Sequence, residues 1–216
     1  ECGDSGEGRW GHDPPQVRQV RVGANIIVSL SCSDEIAGKA EYRRNLVRMQ
    51  SAKLMCGYVY CDAGDGESTT DMVFAGHNLI CENGSVLAES KLFENGLLFA
   101  DIDVDKLDGE RKRCASAFYE GYKNNDAAFI QVNICGCKDE TERTFEKYPC
   151  VPKDGARLAE RTELILNLQT MGLVKRLKHT NAKTAIIGIS GGLDSALALL
   201  VTRRAFQKLG KDFKDI

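Results

Sequence analysis

The chain has 216 residues, with 29 Lys and Arg against 31 Asp and Glu, a formal net charge of −2 at neutral pH. That near balance argues against nucleic acid as a main partner. No apolar run is long enough to span a membrane, and no basic leader with a small-residue cleavage site is apparent. The nine cysteines are odd in number and scattered, and read as reduced core residues of a cytoplasmic protein. Without a second pair near Cys135-Gly-Cys137, a zinc site is not expected.

Residues 1–21 are Gly-rich and charged, without a clear period. Gly23–Leu30 reads as a buried strand ending at Ser31-Cys-Ser33. Residues 37–56 are rich in helix formers, and Gly57–Cys61 forms the next strand. Asn83-Gly84 between two apolar runs, 77–82 and 85–89, is a hairpin signal. Leu97–Asp103 reads as a further strand, 104–114 as a short charged helix and Ala127–Ile134 as a strand. Pro149 and Pro152 mark a linker. A long helix follows, with Leu158, Thr162, Ile165, Gln169, Leu173 and Leu177 along one side.

Lys183-Thr-Ala-Ile-Ile187 is short, apolar and β-branched, as a buried parallel strand would be. The next stretch is Gly188, Ile189, Ser190, Gly191, Gly192, Leu193, Asp194 and Ser195, and from Ala196 the apolar spacing is helical. Small residues therefore stand at a strand-to-helix turn. There, free N–H groups and the positive helix end favour an anion, and glycines admit close approach of a ligand to the backbone. Ser190 and Ser195 add hydroxyls, and Asp194 adds a carboxylate able to hold Mg²⁺. No Gly-Lys-Ser/Thr follows the glycines, and their spacing is not that of a dinucleotide-binding turn. The pattern is that of a pyrophosphate cradle.

The string Ser190-Gly-Gly-Leu-Asp-Ser195 resembles the PP-loop of the ATP pyrophosphatases. Upstream, Trp10 with Pro14-Pro15, Leu30-Ser-Cys-Ser33, Gly38-Lys39, Gly57-Tyr-Val-Tyr60, Gly66-Glu-Ser-Thr-Thr-Asp71 and Glu82-Asn-Gly84 stand in the order found in a nitrilase-type glutaminase domain. Together they resemble the glutamine-dependent NAD⁺ synthetase family, in which such a domain is fused to a PP-loop synthetase. The resemblance implies an α/β fold: the later half of a nitrilase-type α-β-β-α sandwich, then the first strand, loop and helix of a doubly wound PP-loop domain. It implies a glutaminase part over 1–148, a linker over 149–156 and the start of a synthetase part over 157–216. The absence of an initial Met, and the end at Ile216 soon after the loop helix, read as marks of an internal fragment.

The implied chemistry is ATP- and Mg²⁺-dependent amidation of deamido-NAD through an adenylated intermediate, with ammonia from L-glutamine. ATP would meet residues 188–195, with Mg²⁺ on Asp194, and glutamine would meet Ser33 and Lys39. The glutaminase nucleophile aligns, without gaps, to Gly6, which has no side chain to form an acyl-enzyme. Cys2 substitutes only with an insertion before Trp10. A homo-oligomer of the longer protein is implied, with small molecules as its other partners.

Alternatives stand beside this reading. Ser33 also suits a helix N-cap, and Lys39 a solvated helix position. Arg43 and Arg44 read as surface or ion-pair residues, His77 as a structural donor, and Glu67 and Asp71, which could pass for an acid/base pair, as turn formers. GMP and asparagine synthetases carry a similar loop, but not the nitrilase-like strings. The chain also fits a non-catalytic nucleotide-binding piece, or a synthetase fed by free ammonia.

Overall fold

A computed structural model describes residues 14–68, 71–114, 130–132, 141 and 143–216. The chain divides into two compact units, Glu1–Thr144 and Phe145–Ile216.

In the first unit, helix α1 (Pro15–Arg21) starts on a proline, whose missing N–H is no loss at a helix start. The sequence shows no period there, and the helix was not expected. Strand β1 (Ile26–Ser31) follows, then helix α2 (Lys39–Leu54) and strand β2 (Gly57–Asp62). Strands β3 (Leu79–Glu82) and β4 (Ser85–Glu89) form the expected hairpin. Its two turn residues, Asn83 and Gly84, have φ of +44° and +83°, the left-handed pair that a two-residue hairpin requires. The sheet order is β1-β2-β3-β4, with β1 and β2 parallel and the other pairs antiparallel.

Register decides which side chains share a face. Ile27 lies beside Tyr58 and Tyr58 beside Cys81, while Tyr60 pairs with Leu79. These residues point one way and pack with Val20, Val47 and Leu54 of α1 and α2 into the core. Alternation turns Ile26, Val28 and Leu30 to the other face, where they are 41–52% exposed. The expected burial of β1 is therefore met on one side only among the described residues.

One strand expected in this unit is absent among the described residues. Residues 97–103 form no strand, and Leu97 is exposed; helix α3 (Val104–Arg113) begins directly after them, capped by Asp103. The expected strand over 127–134 lies outside the described residues except for 130–132, which form none.

In the second unit, helix α4 (Gly155–Thr180) is capped by Asp154 and ends at Asn181 in a left-handed conformation. Helix α5 (Leu193–Leu209) packs on it through Val174, Leu177, Ala205 and Phe206. The apolar side expected for α4 is covered only towards its C-terminus, since Leu158 and Ile165 stay exposed. Lys183–Ile187 is not a strand, and Ile186 is 97% exposed. A parallel strand is made by its neighbours' hydrogen bonds. Here, among the described residues, the Ala185 N–H donates to the Asp215 carbonyl at 2.9 Å instead of to a neighbouring strand.

Thus the class is α/β, as expected, and the sheet is mixed. Among the described residues, no helix is long and apolar enough to cross a membrane.

Candidate functional site

The loop 188–195 runs directly into α5. Gly192 is the N-cap, and no side chain caps the helix, so its first N–H groups remain free to bind an acceptor. Ser195 turns its hydroxyl back to the Gly192 carbonyl at 3.0 Å and lies 3.4 Å from the Ser190 hydroxyl. Gly191 has φ of +81°, which a side chain would strain. Gly188 and Gly192 have no such need. A Cβ at Gly188 would meet nothing within 4 Å, and one at Gly192 only the Ser190 hydroxyl, at 3.5 Å. Packing among the described residues thus does not explain these two glycines.

Asp194 is exposed, and no cluster of three or more metal-ligating residues exists among the described residues. One carboxylate suits Mg²⁺ where phosphate oxygens and water complete the shell. Leu193 is 90% exposed, and Ile189 is also exposed.

In the first unit the expected residues gather where β1 and β2 end. Ser33 follows β1 and does not cap α2, whose N-cap is Gly38 in a left-handed turn. Its N–H donates to Asp62 Oδ1 at 3.0 Å. Lys39 opens α2 and pairs with Asp34 at 2.5 Å; hydrogen bonding from the ammonium holds the Asp34 carboxyl below the usual carboxylate range.

Arg43, one helical turn after Lys39, is 5% exposed. Its Nη1 reaches Glu35 Oε2 at 2.8 Å and His77 Nδ1 at 3.0 Å, and its Nη2 faces Asp62 Oδ2 at 3.4 Å. Arginine only donates, so His77 Nδ1 accepts, and Nε2 carries the proton given to Glu89 at 2.7 Å. Arg44 grips the same Glu89 with two nitrogens and, by that hydrogen bonding, lowers its carboxyl against the effect of burial. Of the surface or ion-pair roles expected for Arg43 and Arg44 both take the ion-pair one, with Arg43 buried rather than on the surface, and His77 takes its expected donor role.

Asp62, Glu35 and Glu89 did not stand out in the sequence. The available signal for Asp62 was a carboxylate closing an aromatic strand. Glu82 was also missed: it is 2% exposed and takes two hydrogen bonds from Arg143, one from Lys106 and one from the Asp103 N–H. Gly6 and Cys2, the two positions considered for the nucleophile, lie outside the described residues, as do Trp10 and Cys135-Gly-Cys137.

The NAD synthase family model matches residues 165–212, which include the loop. The chain is 37% identical over 212 residues to glutamine-dependent NAD(+) synthetase of Mycobacterium bovis, covering 94% of this chain and 31% of that protein. It is 26% identical over 193 residues to the protein of the same name from Thermotoga maritima, covering 86% of this chain and 31% of that one. Among solved structures, the glutamine-dependent NAD⁺ synthetase from Acinetobacter baumannii in complex with ADP is similar at a TM-score of 0.42 and 19% identity, over 93% of this chain and 30% of that one. A carbon-nitrogen hydrolase from Helicobacter pylori G27 gives 0.43 and 16%, over 55% and 44%. The chain spans about a third of the length of the curated relatives it matches (31%). Over 94% of its own residues, this chain is similar in sequence to the glutamine-dependent NAD(+) synthetases.

Proposed function

We propose that the chain is part of a glutamine-hydrolysing NAD⁺ synthetase, a carbon–nitrogen ligase that amidates deamido-NAD with ammonia drawn from glutamine. Residues 1–148 would belong to the glutaminase part, 149–156 to a linker and 157–216 to the synthetase part. The observation that carries this reading is the exposed, uncapped start of α5 behind Gly191 and Gly192, inside the stretch matched by the NAD synthase family.

In this reading ATP lies over residues 188–195. The free N–H groups of the first α5 turn and the Ser190 and Ser195 hydroxyls hold the phosphates that leave as pyrophosphate when the carboxylate is adenylated. Donors fixed beforehand stabilise the charge that builds on that leaving group. Asp194 would hold Mg²⁺, which when bound neutralises phosphate oxygens. Ser33 and Lys39 bind glutamine, the lysine pairing with its α-carboxylate. The protein is a cytoplasmic homo-oligomer whose other partners are small molecules.

The test is deamido-NAD-dependent exchange of pyrophosphate into ATP by the full-length protein. Asp194→Ala is expected to lower it about 100-fold; undiminished exchange would overturn the reading. Gly6, where the resemblance puts the nucleophile, favours a second reading in which free ammonia is the amide source. Synthesis supported by ammonium but not by glutamine would select it.

A further inference from the structure

We infer that Asp62 and Arg43 are positioning residues for the segment that meets glutamine, an inference that rests on the glutamine role proposed for Ser33 and Lys39. Residues 33, 34 and 35 are each tied down, and by different groups. Asp62 Oδ1 accepts the Ser33 N–H at 3.0 Å. Lys39 holds Asp34 at 2.5 Å. Arg43 holds Glu35 at 2.8 Å, and the Glu35 N–H donates to the Val73 carbonyl at 2.7 Å.

The two anchors are themselves fixed. The Asp62 side chain is fully buried, its main-chain N–H donates to Asn78 Oδ1 at 2.9 Å, and its Oδ2 faces Arg43 Nη2. Arg43 reaches Glu35, Asp62 and His77 from one guanidinium, a fork that lysine cannot reproduce. The segment lies just past the C-terminal ends of the parallel pair β1 and β2, where open sheets of this kind present ligands. The tether to Ser33 uses its main-chain N–H, so the hydroxyl is not consumed by it. Burying a charged pair beneath a half-buried segment is costly. Here the pair fixes where the Ser33 hydroxyl and the Lys39 ammonium stand relative to each other.

The experiment measures L-glutamine binding by calorimetry, together with thermal unfolding, on the full-length protein and its Asp62→Ala, Asp62→Asn, Arg43→Lys and Lys39→Ala variants. Both Asp62 variants lose the carboxylate facing Arg43, so both lower Tm. Asn still offers Oδ1 to the Ser33 N–H. Glutamine Kd is therefore expected to rise about ten-fold or more in Asp62→Ala, yet stay within about three-fold in Asp62→Asn. Arg43→Lys is expected to weaken glutamine as Asp62→Ala does, and it carries the test if that variant does not fold. A Kd that follows Tm through both Asp62 variants overturns the inference. So does an unchanged Kd in Asp62→Ala or Arg43→Lys when Lys39→Ala weakens binding. If the unaltered protein binds no glutamine, or Lys39→Ala binds it normally, the glutamine reading itself falls and takes the inference with it.

Discussion

Glu82 shows how a buried carboxylate is kept charged. Burial pushes its carboxyl up, but hydrogen bonds from Arg143, the Asp103 N–H and Lys106 outweigh that and hold it at about 2, against an ordinary 4.5. A carboxyl lowered in the folded state contributes stability above its unfolded value and loses it as pH falls towards the folded one. Glu82→Gln is therefore expected to cost about 3 kcal/mol at neutral pH in urea unfolding. It should also flatten the loss of stability between about pH 4.5 and 2. Cysteines sort by the same logic. Burial pushes Cys56 to about 12 and Cys81 to about 11; burial and the neighbouring Glu67 raise Cys32 as well, but Cys32 and Cys150 are exposed and open to reagent. Thiol labelling at pH 8, mapped by mass spectrometry, should reach Cys32 and Cys150 in the folded protein and Cys56 and Cys81 only after denaturation. At the loop, Gly192→Ala meets no protein atom closer than 3.5 Å and should leave stability within about 0.5 kcal/mol. Pyrophosphate exchange should nonetheless fall about 100-fold if phosphate approaches that backbone. Unchanged exchange would show that the space is not the ligand's.

The β3–β4 hairpin owes its turn to two requirements at one residue. Gly84 has φ of +83°, and a Cβ there would lie 2.9 Å from Ala52 Cβ of α2. The same region is sewn from α2 by Ser51, whose hydroxyl donates to the Cys56 carbonyl at 2.6 Å and accepts the Gly84 N–H at 3.4 Å. Gly84→Ala is thus expected to lower stability by about 2 kcal/mol, read as a fall in Tm. Gly191 has nearly the same φ but open space around it, so Gly191→Ala should cost less stability. Elements such as this hairpin, α2 and α5 were legible because turn chemistry and apolar period are local properties. The α1 helix was not, because seven residues are too few to display a period. Lys183–Ile187 forms no strand, and a β-branched run states only that a strand would fit there.

Across the whole chain, the two units are joined by an exposed stretch. Residues 144–151 are exposed, with turns at 147–150, before α4 begins at Gly155. Limited trypsin digestion should therefore cut first after Lys147 or Lys153, giving two fragments by mass spectrometry. Persistence of the intact chain while other sites are cut would contradict that expectation.

The sequence by itself determined the order of most elements, the glycine-and-serine turn before α5 and the family it resembles, since each rests on neighbouring residues or on their spacing along the chain. Only tertiary structure decided that Ser33 is tethered to Asp62 rather than capping α2, that Arg43 joins Glu35, Asp62 and His77, and that Glu82 is a buried anion. Those partners lie 8 to 61 residues apart, and spacing along a chain does not say which distant charges the sheet register will bring face to face.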